Sequence, residues 1–168
     1  IVRRWCCLSK KAKEKKKNSG KPSKKVSGRI AVIVSRFNEE VTGGLLQGAL
    51  SVLHENKYDD KNITIIHVPG AYEIPLTAKH LCMSGNYCGV VCLGAVIKGE
   101  TAHFEYISNA VSNGIMSLNL EYSMPVSFGV LTCYNDEQAL KRSQNDEHNK
   151  GREAASAVLD MIKILKES

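Results

Sequence analysis

Residues 90–106 read Val-Val-Cys-Leu-Gly-Ala-Val-Ile-Lys-Gly-Glu-Thr-Ala-His-Phe-Glu-Tyr, and this stretch decides the fold of the chain. The apolar run at its start is typical of a buried strand, and Gly94 and Gly99 indicate a turn after it. A helix start is predicted at Thr101, with His103 two residues inside. A strand, a glycine turn and a helix N-terminus in this order form an anion site, because free amides and the helix dipole point to the same place. We therefore expect an enzyme that acts on a small phosphorylated substrate.

The same segment has a rival interpretation as a P-loop. Residues 94–101 match the P-loop pattern at every defined position except one. Glu100 stands where a P-loop has the lysine that brings positive charge to the terminal phosphates. Because that lysine carries the chemistry, we expect no nucleoside-triphosphatase activity.

The chain after residue 28 alternates strand and helix patterns. Apolar runs rich in β-branched residues predict four strands, at residues 30–34, 63–68, 89–96 and 126–132. Helical periodicity predicts five helices: one that opens at Thr42, then 73–82, 103–122, a short helix capped by Asn135 and Gln138, and 149–166. This alternation predicts an α/β domain over residues 29–168, a three-layer, flavodoxin-like fold with a four-stranded parallel sheet and helices on both faces.

Polar and aromatic residues follow all four predicted strands, in the segments 35–38, 68–73, 94–103 and 132–135. Ligands of such sheets bind outside the carboxyl ends of the strands. Phe37 is either a core side chain or an exposed stacking platform. Glu73 either complements a helix dipole or binds a polyol or heterocycle. His103 is either a surface histidine or a proton-transfer residue beside the anion turn.

Residues 1–28 differ from the rest in charge. They hold 11 Lys/Arg and one acid, a net charge of +10 in a chain of +6, so residues 29–168 carry −4. A lysine-rich segment with few apolar residues cannot bury enough surface to fold, so we predict a disordered tail. A nucleic-acid-binding arm is the less favoured alternative. A remnant of a targeting segment, for an organelle such as a plastid, is a third.

The sequence shows no pattern typical of a metal site, a membrane span or a secretory signal. The six cysteines lack Cys-x-x-Cys spacing, so we expect no metal site and no cofactor. No apolar run reaches the roughly 18 residues of a membrane span. With no secretory signal in view, a reduced compartment, the cytoplasm, is the expected location.

Five motifs of this chain resemble the lumazine synthase family, which catalyses the penultimate step of riboflavin biosynthesis. They occur in order across residues 29–166, and the tail lies outside the resemblance. The motifs are Ser-Arg-Phe-Asn at 35–38, Val-Pro-Gly-Ala-Tyr-Glu-Ile-Pro at 68–75, Gly-Ala-Val-Ile-Lys-Gly-Glu-Thr-Ala-His-Phe-Glu-Tyr at 94–106, Phe-Gly-Val-Leu-Thr at 128–132 and Asn-Lys-Gly-Arg-Glu-Ala-Ala at 149–155.

The resemblance implies condensation of 5-amino-6-(D-ribitylamino)uracil with 3,4-dihydroxy-2-butanone 4-phosphate to 6,7-dimethyl-8-ribityllumazine, phosphate and water, without metal or redox cofactor. It also implies a homo-oligomer, a pentamer at least, with a sixty-subunit shell left open. A flavin or lumazine carrier with the same pocket is one alternative, and an assembly protein that gathers nucleic acid through its tail is another. The presence of His103 and Thr101 favours the enzyme, since a carrier needs no proton transfer.

The resemblance further implies which residues form the site. His103 is the expected proton-transfer residue. The expected substrate-binding residues are Phe37, Ala71, Tyr72, Glu73, Ala95, Val96, Ile97, Glu100, Thr101, Phe128 and Arg142. Of these, Phe37 stacks on the pyrimidine, residues 71–73 hold the ribityl chain, and the backbone of residues 95–97 contacts the pyrimidine. The amides of residues 100–101, with the threonine hydroxyl, bind phosphate.

In the family, two of these residues reach the site from the neighbouring subunit: Phe128 closes the ring site and Arg142 pairs with the phosphate. The chain departs from the family at two points near that phosphate. Lys98 replaces an arginine, which keeps the charge. Residues 143–148, Ser-Gln-Asn-Asp-Glu-His, replace a glycine-rich loop that contains a lysine. We expect the altered loop to weaken phosphate binding, with Lys150 or the loop histidine as candidates to compensate.

Overall fold

A computed structural model describes residues 28–168 of the chain. Its strands and helices are β1 (Ile30–Ser35), α1 (Glu39–Glu55), β2 (Ile63–Val68), α2 (Ile74–Ser84), β3 (Gly89–Ile97), α3 (His103–Tyr122), β4 (Val126–Cys133), α4 (Asp136–Ser143) and α5 (Lys150–Glu167). Single-turn 3-10 helices precede β2 (Asp60–Asn62) and α2 (Ala71–Glu73). The predicted disordered tail and its alternatives concern residues that, apart from Gly28, lie outside this description.

The four described strands form one sheet, in which every neighbouring pair is parallel and the order is β2-β1-β3-β4. β1 is buried along its whole length and β3 along most of it, as expected for strands at the centre of the sheet. β2 and β4 lie at the edges, and Ile65 of β2 is partly exposed. The predicted four-stranded parallel sheet is therefore confirmed.

Helices cover both faces of this sheet. Leu45 of α1, Ala139 of α4 and Val158 of α5 pack into one core cluster. Ile74 of α2 and Ile115 of α3 pack into the cluster on the opposite face. Successive residues of a strand point to opposite faces, so the apolar runs of β1 and β3 supply both clusters. The three-layer α/β architecture is confirmed.

Two helix starts show where local patterns mislead. α1 begins at Glu39, three residues before the predicted start at Thr42, because Asn38 already serves as its N-cap. For α4, Asn135 accepts from the amide of Gln138 at 2.9 Å, as a capping box requires. The Gln138 side chain, however, accepts from the amide of Tyr134 at 3.0 Å, one residue before the cap.

Candidate active site

Backbone and side-chain hydrogen bonds join the loops that follow β1, β2 and β3. The amide of Arg36 donates to the carbonyl of Val68 at 2.9 Å, and the amide of Phe37 donates to Pro69 at 3.2 Å. The side-chain amide of Asn38 donates to the carbonyl of Ala95 at 3.1 Å. Three of the predicted site segments, which are far apart in sequence, therefore lie in direct contact at the carboxyl edge of the sheet.

Two aromatic rings stand out from this cluster of loops. The side chain of Phe37 is 70 % exposed and that of Tyr72 is 60 % exposed. The alternative that Phe37 is a core residue is therefore wrong. An exposed ring on a loop fixed by backbone hydrogen bonds offers a rigid apolar face for stacking.

Glu73 is half-buried, and its carboxylate turns back along the chain. Its Oε2 accepts from the amide of Gly70 at 2.9 Å and so closes the 3-10 turn Ala71–Glu73. This bond supports the structural interpretation of Glu73, and it uses one of the two carboxylate oxygens. The other oxygen can accept a hydrogen bond from a ligand hydroxyl or ring N–H, so both interpretations of this residue are compatible with its geometry.

The end of β3 presents backbone groups toward the same loops. β4 pairs with β3 as far as Ile97, whereas β1 pairs with β3 only as far as Leu93. From residue 94 to 97, the edge of β3 that faces β1 therefore has no described strand beside it. Part of this edge is used by Asn38, which bonds to Ala95. The remaining backbone groups can pair with the polar edge of a planar heterocycle.

Gly94 does not lie in the predicted turn. It is a buried residue of β3, paired with Val130 of β4, and a Cβ built on it would lie 3.2 Å from Ser35 Oγ and from Ile74 Cδ1. The turn predicted at Gly94 is wrong, whereas the strand predicted over residues 89–96, which includes Gly94, is confirmed; close packing requires a glycine at this point of the apolar run. The finding also excludes a P-loop, since residues 94–97 are in a strand and cannot cradle phosphates.

The glycine turn is confined to the residues between β3 and α3. The N-cap of α3 is Ala102 and His103 is its first helical residue, as the predicted range 103–122 has it, whereas the start predicted at Thr101 comes two residues too early. Thr101 Oγ1 accepts from the amide of His103 at 3.4 Å, and Ala102 makes no side-chain cap. His103, Thr101 and Glu100 are all exposed. Exposed residues and the positive end of the helix dipole therefore meet at this corner, which suits an anion site.

Lys98 is engaged by α3. Its Nζ lies 3.0 Å from Glu105 Oε1, and it lies near the rings of Phe104 and Tyr134. The hydrogen bond from Lys98 holds the pKa of the Glu105 carboxyl below its ordinary value. Lys98 is thus already paired with a carboxylate.

Phe128 and Arg142 lie elsewhere on the chain. They line a groove of about 460 Å³ along β4, which is also bordered by Lys150, Glu153 and Ala154. Phe128 is 43 % exposed, and Arg142 donates through Nη1 to the carbonyl of Gln138 at 2.9 Å. None of the residues predicted to hold the pyrimidine or the ribityl chain, apart from Phe128 itself, lines this groove. One chain thus carries the predicted residues as two separate groups.

Two asparagines that received no role from the sequence are central to this arrangement. Asn38 belongs to the motif at 35–38, and an asparagine just after a strand tolerates the left-handed conformation that it adopts, with φ 61° and ψ 51°. Asn149 was placed at the start of the last helix, where it is an N-cap that is completely buried. Its burial could not be read from its neighbours in sequence.

Within residues 28–168, no group of three or more His, Cys, Asp or Glu side chains could hold a metal ion. None of the helices in this part of the chain has the length and apolar character needed to cross a bilayer.

Comparison with known proteins identifies the family. The sequence model of 6,7-dimethyl-8-ribityllumazine synthase matches residues 27–166. The chain belongs to this family. The match covers both groups of predicted site residues, and it confirms the resemblance drawn from the five motifs.

Individual members of the lumazine synthase family are similar over nearly their whole length. A protein of Caulobacter vibrioides named 6,7-dimethyl-8-ribityllumazine synthase 1 is 56 % identical over 141 residues, which cover 84 % of this chain and 92 % of that protein. The 6,7-dimethyl-8-ribityllumazine synthases of Blochmanniella pennsylvanica and Desulfovibrio desulfuricans are 50 % and 44 % identical, over 82 % and 83 % of this chain and 88 % and 89 % of their own lengths. The prediction of a transferase of this family is confirmed.

Proposed function

We propose that the protein condenses 5-amino-6-(D-ribitylamino)uracil with 3,4-dihydroxy-2-butanone 4-phosphate to give 6,7-dimethyl-8-ribityllumazine, phosphate and water. The observation that carries this proposal is the contact between the loops after β1, β2 and β3. Asn38 joins the loop of an exposed ring, Phe37, to the open backbone edge of β3. A ring for stacking beside an open strand edge suits a planar, hydrogen-bonding substrate such as a pyrimidine.

The aminopyrimidine lies between these elements. Phe37 stacks on its face, and the backbone of residues 95–97 reads its polar edge. The ribityl chain extends toward residues 71–73, where the free oxygen of Glu73 accepts from a hydroxyl. The bond from Gly70 fixes that carboxylate in advance, so little conformational entropy is lost when the polyol binds.

The phosphate of the second substrate binds at the corner before α3. The backbone amides of Glu100 and Thr101, two exposed residues, and the positive end of the helix dipole supply the first half of the anion site. The second half comes from Arg142, whose guanidinium can bind a phosphate with two parallel hydrogen bonds. Lys98, close to this corner in sequence, is paired with Glu105.

His103 transfers protons during the reaction. Formation of an imine between the substrate amine and the ketone, followed by loss of phosphate, requires protons to move at nitrogen and oxygen. His103 is exposed at the first position of α3, next to the phosphate corner, and an imidazole is the side chain best suited to this task near neutral pH.

The working unit is a homo-oligomer in which each site forms between two subunits. Phe128 and Arg142 line a groove apart from the first group, which supports their donation to a neighbouring chain. A head-to-tail ring brings two different surfaces of one chain together, and a pentamer is the ring proposed here. A shell of sixty subunits built from such pentamers is the larger assembly compatible with this contact. We assign the activity to residues 29–168 and no part of it to residues 1–28.

The experiment mixes the two purified substrates with the protein and follows the appearance of lumazine fluorescence and of inorganic phosphate. Both products should form in equal amounts, and neither should form when one substrate is omitted. A protein from which residues 1–28 have been removed should give the same rate. Tight binding of the lumazine without turnover would identify a carrier and would overturn the proposal.

A further inference from the structure

Asn149 makes an unusual number of contacts for a helix-capping residue. It is completely buried, at 0 % exposure. Its Oδ1 accepts from the amides of Gly151 at 2.8 Å and Arg152 at 3.3 Å, which is the expected cap of α5. Its Nδ2 donates to three carbonyls, those of Gly44 at 3.0 Å, Ser143 at 2.9 Å and Gln144 at 2.8 Å.

The Nδ2 contacts go beyond a cap, because they tie three elements together. Gly44 belongs to α1, Ser143 is the last residue of α4, and residue 144 is the first of the loop that leads to α5. A cap needs only the side-chain oxygen. The side-chain nitrogen of Asn149 therefore fixes the end of α4 and the start of α5 against a third helix, and we call this contact the Asn149 joint.

Glycines make room for the Asn149 joint on the opposing surfaces. A Cβ added at Gly44 would collide with the carbonyl oxygen of Ser143, and one at Gly48 would collide with Oδ1 of Asn149. A Cβ at Gly151 would collide with the backbone of Leu45. Since backbone cannot move aside cheaply, the three helices are held at one separation. The adjacent Gly43 has nothing within 4 Å of an added Cβ.

Two cations lie directly beside the joint. Arg142 immediately precedes Ser143, and Lys150 immediately follows Asn149. Both line the groove of about 460 Å³ beside β4, and both also line a second groove of about 520 Å³ beside α4. Arg142 and Lys150 are the only residues common to these two grooves, so the joint fixes the backbone from which both positive charges project.

We propose that Asn149 is a positioning residue that holds Arg142 and Lys150 as a pair for binding the phosphate of the substrate. The inference rests on the proposed function and deepens it. The altered loop 143–148 contains Asp146 and Glu147 and no lysine. Phosphate binding between the two grooves therefore depends on the placement of Arg142 and Lys150, the two cations that line both of them. Lys150 Nζ is paired with Glu153 Oε1 at 2.6 Å, so the lysine must leave this carboxylate in order to bind the phosphate.

Three variants separate positioning from capping and from general stability. Asn149→Ser keeps an oxygen for the cap of α5 and loses the side-chain amide that donates to three carbonyls. Gly44→Ala leaves Asn149 intact and pushes the carbonyl of Ser143 away from α1. Gly43→Ala is the matched control, because it makes the same substitution one residue earlier on α1, where the added Cβ meets nothing.

The measurements are the dissociation constant for inorganic phosphate, by titration calorimetry, and the KM values for both substrates. A small displacement of a binding group costs up to about 100-fold. Asn149→Ser and Gly44→Ala should therefore weaken phosphate binding and raise the KM for the butanone phosphate by roughly 10- to 100-fold. The KM for the ribitylaminouracil should change less than about twofold, and Gly43→Ala should match the wild type in all three measurements.

The outcomes distinguish this inference from the proposed function. If the wild type forms no lumazine but binds phosphate, and the two variants lose that binding, the proposed reaction is wrong and the positioning role stands. If either folded variant keeps wild-type phosphate affinity and KM while its Tm falls, Asn149 is purely structural and the inference is overturned. Should Asn149→Ser not fold, Gly44→Ala alone decides by the same criterion. A wild type that binds no phosphate also overturns the inference.

Discussion

Asn38 donates from its side-chain amide to the carbonyl oxygen of Ala95 at 3.1 Å, across 57 residues of sequence. Asn38 is also the N-cap of α1, yet its side chain makes no capping bond. The side chain that would ordinarily satisfy the start of the helix is directed to the site instead. Its left-handed backbone conformation, with φ 61°, turns the chain from β1 into α1 and sets this direction.

The first prediction tests that bond with Asn38→Gly. Glycine adopts the left-handed conformation without strain, so the substitution removes the hydrogen bond and little else. One such bond contributes about 1 kcal/mol, so the KM for the ribitylaminouracil should rise roughly fivefold with little change in the KM for the butanone phosphate. Lys57→Gly, at another left-handed position with φ 66°, is the matched control and should leave both KM values unchanged. An unchanged KM in Asn38→Gly would contradict a role in pyrimidine binding.

The sequence predicted those features of the fold that depend on local periodicity. The bounds of β2 and α3 agree with the predicted ranges, because apolar spacing and the flanking turn residues decide them together. A turn was predicted at Gly94 because the side chains that leave little room for a Cβ there, Ser35 and Ile74, are distant in sequence. They contact Gly94 only in the folded chain.

The site was predictable to the extent that it follows from topology. Parallel strands bring their carboxyl ends to one edge, so the proximity of the loops after β1, β2 and β3 could be expected. The role of Asn38 in holding these loops together could not be expected. Whether its side chain caps α1 or bonds to Ala95 depends on the distance across the sheet. The buried bonds of Asn149 to α1 escaped prediction for the same reason, since its partner Gly44 lies 105 residues away.

The second prediction concerns His103→Ala. Proton transfer by a side chain typically contributes about 10²- to 10⁴-fold, and solvent can replace part of it at an exposed position. We therefore expect turnover to fall by roughly 100-fold or less. The KM values and the Tm should stay near those of the wild type, because the side chain of His103 is exposed. His80→Ala, another exposed histidine, serves as the control. Equal turnover in His103→Ala and the wild type would exclude a catalytic role.

The third prediction follows from the pair of Lys98 and Glu105. The hydrogen bond from Lys98 lowers the pKa of Glu105 from its ordinary value of 4.5. A lowered carboxyl pKa in the folded state means that the pair stabilises the protein above about pH 4.5, and that this contribution is lost as the pH falls through the lowered pKa. Glu105→Gln should thus lower the Tm slightly at pH 7, and the difference from the wild type should shrink progressively below pH 4.5. The effect should be small, because both side chains are exposed.

The control for this pH series is Glu167→Gln, at the exposed end of α5. It should give no comparable pH-dependent difference in Tm. If the difference between Glu105→Gln and the wild type stays constant down to pH 2, the ionised carboxylate is not what stabilises this contact.

The fourth prediction is that catalysis needs neither a metal ion nor a nucleoside triphosphate. Imine formation and phosphate loss require proton transfer and an anion site, both of which the proposed residues supply. A chelator should therefore leave the rate of lumazine formation unchanged, and hydrolysis of ATP should not exceed the rate without protein. Inhibition that is reversed by adding back a divalent ion would contradict this prediction.

The fifth prediction is that activity requires two chains. Phe37 and His103 lie in one group of predicted site residues, whereas Arg142 lines the separate groove along β4. Each of two variants, the double substitution Phe37→Ala/His103→Ala and the single substitution Arg142→Ala, should be close to inactive in its own homo-oligomer. After dissociation and joint reassembly, random mixing in a head-to-tail ring combines two intact halves at about a quarter of the interfaces. The mixture should therefore recover up to about a quarter of the wild-type rate, whereas each variant reassembled alone should recover none. Mass spectrometry of the mixture verifies that subunits have exchanged. If mixed rings form and no activity returns, each site belongs to a single chain, and the head-to-tail arrangement proposed for Arg142 is wrong.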